Sequence, residues 1–240
     1  MKTIPLKFIR DDPSVGNADN SEDAREPIQQ LERLVADLSE QLAGLSAGSE
    51  PLRRADMLLQ LGRAQLRLEN KLEAWDAARA AFDHYLAGES WEGAVQACDI
   101  LFLSDQVLSL PALGQGIWLA VTYPVDPELS AALLQHVVDE TPPEADGAAV
   151  AAVTAHYLAD MRVAETQREQ LLYFTNQLLA TVARRHSGVA NQQDFDKWML
   201  DMELNTPERF LPRLRNVVDV LVQDDWWFDR DALQARLPVQ

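Results

Sequence analysis

From Pro27 onward the apolar residues recur every three or four positions, the spacing that gathers them on one face of an α-helix. Leu31, Leu34, Val35, Leu38, Leu42 and Leu45 mark the first such face, and the Gly- and Ser-rich stretch 43–49 ends it. Three further starts carry a polar cap, a first-turn proline and a nearby carboxylate: Ser49-Glu50-Pro51, Asp126-Pro127-Glu128 and Thr206-Pro207-Glu208. An oxygen there accepts an otherwise orphaned N–H, proline presets φ, and the carboxylate suits the positive end of the helix dipole. The pattern predicts helices over 27–45, 51–69, 71–87, 91–103, 110–122, 127–140, 147–161, 165–186, 192–204, 207–222 and 229–236. Alternating β-branched runs that would announce strands are missing. Short connections make successive helices antiparallel neighbours, so the expected architecture is all-α, with hairpins stacked as an array or a compact bundle.

Residues 1–26 read as a separate arm and tether, and 27–240 as one all-helical domain. Between Asp11 and Glu26 almost no large apolar group is available to offset the entropy of ordering. Ahead of that tether, Ile4, Leu6 and Phe8 alternate with Thr3, Pro5 and Lys7. In an extended backbone this puts three apolar side chains on one face. Together with Lys2, Lys7 and Arg10 the segment reads either as a frayed terminus or as a docking peptide for an acidic groove, its own or that of a second copy, and so as a route to a homodimer.

Leu61-Gly62 in the second predicted helix is followed by Ala74, Ala78 and Ala81 in the third. A glycine facing a shallow alanine surface lets two helices approach closely. This arrangement resembles the tetratricopeptide pattern over about one hairpin, near residues 54–87. A similar spacing returns at Ala94, Cys98 and Leu101, but only 20 residues later, against about 34 in a regular tetratricopeptide array. The resemblance implies a tetratricopeptide-like right-handed array of helical hairpins and, through that family's usual role, binding of a peptide or protein.

Charge changes the picture most. Ala80 to Met161 is an 82-residue stretch without Lys or Arg, yet it holds twelve carboxylates and three of the four histidines, and so carries -12 of the total -17. Solvated helices ordinarily mix signs, because opposite charges at i, i+4 help and like charges repel. The carboxylates read either as ordinary solvated faces and caps or as an acidic surface, with Asp83, Glu89, Glu92, Asp99, Asp105, Asp126 and Glu128 as candidate contacts for a basic protein or peptide. A pI near 4.5 argues against nucleic-acid phosphates and anionic lipid as partners. No apolar run approaches a membrane span or a signal-peptide core. The single cysteine, Cys98, excludes an intrachain disulfide and paired-thiol zinc patterns, and a reducing cytoplasm is its natural setting.

No catalytic motif survives inspection. Gly44-Leu45-Ser46-Ala47-Gly48 matches the hydrolase string G-x-S-x-G, but no strand precedes it and a flexible helix link explains it. Gly114-Gln115-Gly116 lacks the third glycine and the strand of a dinucleotide turn. His136 with Glu140 and His156 with Asp160 are i, i+4 pairs that could each offer two metal ligands. Antiparallel packing sets the two histidine backbones about 12 Å apart, too far to share an ion comfortably, so no metal and no cofactor is expected. Trp226, Trp227 and Phe228 lie among Asp224, Asp225 and Asp229. They read either as a plug closing the end of the helical stack or as an aromatic anchor for a partner.

The expected function is therefore not an enzyme but a protein-binding adaptor or scaffold presenting an acidic helical surface to a basic partner. An assembly or maturation chaperone for a larger enzyme, a metal-binding helical protein built on the His/carboxylate pairs, and a DNA-mimicking acidic protein are the competing readings.

Overall fold

The computed structural model describes residues 25–46 and 50–237; the arm residues Ile4, Leu6 and Phe8 lie outside them. The described residues form eleven helices: α1 (Arg25–Gly44), α2 (Pro51–Arg67), α3 (Lys71–Ala87), α4 (Trp91–Leu103), α5 (Ser109–Thr122), α6 (Pro127–Glu140), α7 (Asp146–Arg162), α8 (Arg168–Ser187), α9 (Gln192–Asp201), α10 (Pro207–Val222) and α11 (Arg230–Gln234). Each coincides with a predicted helix, and there is no strand among the described residues. Of the predicted oxygen caps, Asp126 acts as one, accepting from the N–H groups of Glu128 and Leu129, while Ser49 lies outside the described residues. The Thr206 side chain makes no such bond, and Glu50 sits in left-handed backbone at φ 47° with its side chain on Arg53. Asn191 and Asp229 supply caps the pattern did not single out.

Helices α2/α3, α4/α5 and α6/α7 pair as hairpins, α8 packs on α7, and α1 lies against α2. Helices α2, α4, α6 and α8 touch in series to make one layer, while α10 folds back across α5 and α7 on the other. The first hairpin is tight for the expected reason: a methyl group added at Gly62 would come within 3.3 Å of the Ala74 carbonyl oxygen, and Ala74, Ala78 and Ala81 are fully buried. Helix α7 is enclosed by α6, α8 and α10, and Ala148 through Ala155 are buried without a break. A helix that is apolar all round belongs at such a centre.

The turns closing the helices depart from the usual chemistry. Glu69, Glu89, Asp105 and Glu203 each follow a helix C-terminus in left-handed backbone, at φ 52° to 62°, a region that favours glycine. After α2, α3 and α9 the turn is closed by the next N–H reaching back five residues, Asn70 to Gln65, Ser90 to Tyr85 and Leu204 to Met199. These bonds satisfy helix-end carbonyls that would otherwise be orphaned.

Candidate interaction surface

Part of the negative charge between Arg79 and Arg162 is compensated by cations from outside that stretch. Asp83 pairs with Arg79, Asp105 with Lys71 at 3.0 Å, and Glu89 with Arg236 at 3.1 Å. Asp99 faces His136 at 3.0 Å, Asp126 is engaged as a helix cap, and Glu128 sits in the first turn of α6. Of the seven predicted acidic contacts, the Glu92 and Glu128 carboxylates have neither an ion pair nor a capping bond among the described residues; Glu92 lines a shallow pocket beside Tyr85, Asp56 and Arg63. Three of the seven are compensated for a spatial reason: cations missing from one stretch of sequence arrive from residues on either side of it. Pairs this exposed contribute little stability, but they do cancel the local field.

Several arginines serve the helix ends as well. Arg162 donates to the carbonyls of Ala120 and Val121 at the end of α5, at 2.6 and 3.0 Å. Arg185 reaches Val138 of α6 at 2.6 Å, Arg213 reaches Met202 after α9, and Arg54 reaches Leu45 after α1. Each places a cation where the helix dipole is negative and the last carbonyls lack intrahelical partners. Burial pulls the Arg162 pKa down from its usual value.

The aromatic segment packs against α3 and α5. Trp227 packs edge-on against Trp75 and Phe82 of α3, with the Arg79 guanidinium 4.3 Å from its ring centre. Trp226 and Phe228 pack on Trp118 of α5, and Arg230 covers Trp226 at 4.0 Å. Gln115, fully buried on α5, holds this segment by its backbone. Its side-chain oxygen accepts from the Trp227 N–H at 2.8 Å, and its amide nitrogen approaches the Asp225 carbonyl at 3.4 Å. All three aromatic residues are half-buried by these contacts.

The histidine pairs do not converge. His136 turns to Asp99 and stacks near Phe102, while His156 is buried with its Nδ1 2.9 Å from the Thr175 hydroxyl. Thr175 donates to the Leu171 carbonyl, so the imidazole Nδ1 is the donor to Thr175. Burial lowers the His156 pKa to about 4, leaving the ring neutral at pH 7. Among the described residues no three His, Cys, Asp or Glu side chains are grouped to hold a metal. Cys98 is buried, which pushes its thiol pKa up and away from reactivity.

What remains open is a groove of about 380 Å³ where α5, α6, α7 and α10 meet, floored by Val137, Val217 and Leu221. Leu110 is 45% exposed on its wall and Val220 72% exposed. Glu140 and Thr141 edge it, with Asp139 and Glu144 adjacent in sequence. Asp139, Glu140 and Glu144 make no ion pair among the described residues; Asp146 nearby is matched by Arg213, and Arg185 is turned to the carbonyls at the end of α6. A second cavity of about 290 Å³ lies between α5, α10 and α11, but Arg230 at its mouth is held by Asp219 at 2.6 Å. Sequence reading missed the groove. Its signal was on α10, where Phe210, Leu214, Val218 and Val222 are buried at four-residue spacing while Val220 falls about 200° from that stripe.

No helix among the described residues is long and apolar enough to cross a membrane. No protein-family model, curated protein or solved structure matches the chain.

Proposed function

We propose that this chain is a non-catalytic adaptor: a tetratricopeptide-like stack of helical hairpins holds the α5–α6–α7–α10 groove as a binding site for an apolar segment of another protein that also carries Lys or Arg. The observation that carries this reading is the groove, where valine and leucine side chains are left in solvent beside carboxylates that no cation of the described residues neutralises. An exposed apolar patch with a polar rim is the composition of a recognition surface, because contact there removes apolar area from water while the rim charges select the partner. The broad acidic centre lends less support, since Lys71, Arg79, Arg168, Arg213 and Arg236 pair with five of its twelve carboxylates.

Cross-linking mass spectrometry of the protein in its own cell tests the proposal. The expected result is one partner cross-linked through a lysine-bearing apolar segment to Glu140 or Glu144, lost in Val220→Glu and retained in Asp83→Asn. A partner bound equally well by Val220→Glu would refute it.

A further inference from the structure

We infer that the groove's resident occupant is the chain's own segment Lys2–Arg10, folded back within the same molecule, so that a partner binds by displacing it; this rests on reading the groove as a protein-binding site. Three observations meet here. The first is chemistry. Residues 1–10 carry Lys2, Lys7 and Arg10 and no acidic residue, with Ile4, Leu6 and Phe8 alternating between them. Bound as an extended strand, those three side chains share one face over about 13 Å, and Pro5 suits extended backbone while opposing a helix. The groove offers the complement, an apolar floor with Glu140 at its edge and Asp139 and Glu144 next to it.

The second is direction. Helix α1 joins α2 through a short connection held by Arg54 on the Leu45 carbonyl, so α1 runs antiparallel to α2 and begins beside the end of α2. Lys71 at the start of α3 pairs with Asp105 after α4, which sets the α2/α3 and α4/α5 turns along one edge of the stack. The groove opens on that edge, at the start of α5 and the α6/α7 turn.

The third is reach. From α1 the path crosses α2, α4 and α6, three helix spacings or about 30 Å. The fourteen residues 11–24 extend to at most about 50 Å. A tether of that length would hold the arm at an effective concentration on the order of millimolar.

The test uses the full chain and a fluorescently labelled peptide with the sequence of residues 1–10 as the probe. The expected result is weak binding to the unaltered chain and at least tenfold tighter binding when Ile4, Leu6 and Phe8 are all replaced by Ser, because the resident arm no longer competes. Adding Val220→Glu to that variant should abolish binding. Equal affinity for the unaltered and triple-Ser chains, or no binding to either, overturns the inference. Carbodiimide coupling on an equal mixture of ¹⁴N and ¹⁵N chains decides the copy involved: Lys7–Glu140 or Lys2–Glu144 products of a single isotope are expected, and mixed-isotope products would overturn the intramolecular assignment. The adaptor reading fails separately, if Val220→Glu leaves partner capture in cells unchanged while the single-isotope products persist.

Discussion

Replacing Gln115 with Leu would test how the C-terminal segment is held. The substitution keeps roughly the same volume at a fully buried position and deletes the acceptor of the Trp227 N–H, bonded at 2.8 Å. The other two contacts, to the Pro111 and Asp225 carbonyls at 3.3 and 3.4 Å, are long and contribute little. One part-buried N–H left without a partner costs about 1–3 kcal/mol, and the apolar replacement recovers part of that. The expected net loss is about 1–2 kcal/mol, which changes the ratio of docked to undocked segment by about 5- to 30-fold. Because the bond ties one segment to α5 and none of the hairpins to each other, the loss should be local. Amide hydrogen exchange reads this directly: the peptide covering residues 224–229 should exchange about 5- to 30-fold faster, with α2, α3 and α7 unchanged and tryptophan emission shifted to the red. Unchanged protection over 224–229, or a loss spread evenly across all helices, would show that the glutamine clasp is not what holds the plug.

Two further substitutions probe the buried polar groups. His156 titrates near 4 in the fold against an ordinary 6.5, so its contribution is fully present above about pH 6.5 and is lost as pH falls through about 4, up to about 3 kcal/mol. His156→Gln, which can still bond to Thr175, should flatten that part of the stability–pH curve measured by urea unfolding; an unchanged slope would contradict a neutral buried ring. Arg162→Met leaves the Ala120 and Val121 carbonyls unpaired and should cost about 2–4 kcal/mol by denaturant unfolding, with Arg162→Lys recovering only part, and a loss below about 0.5 kcal/mol would show that water replaces the guanidinium.

The helices were legible because burial in a stack of hairpins imposes a three-to-four-residue period that no other element shares, and α2 through α7 depart from the expected bounds by at most two residues. Helix α8 starts three residues later than the pattern predicts and α9 ends three earlier, since the polar residues at those ends fit a turn as well as a helix. Charge was not legible. The run from Ala80 to Met161 is base-free along the chain, yet Lys71, Arg79 and Arg236 sit on its carboxylates. Spacing along a helix predicts neighbours on that helix alone, whereas Arg236 reaches Glu89 only because α10 and α11 fold back over the stack. The same long-range return hid the fate of Trp226, Trp227 and Phe228, whose sockets on α3 and α5 lie more than a hundred residues upstream. Val220 was visible in principle, as an apolar residue off the buried stripe of its helix.

The guanidinium groups that close α5 and α6 have a temporal consequence. A ribosome makes this chain from the N-terminus, and Arg162 and Arg185 are added after the helices whose last carbonyls they satisfy. Until α7 and α8 leave the exit tunnel, the centre of the molecule is a set of acidic helices with open ends and one bare flank. Nascent chains that stop short of Ser187 therefore lack the pieces that finish what precedes them, and the order of synthesis itself sets when the middle of the stack can lock.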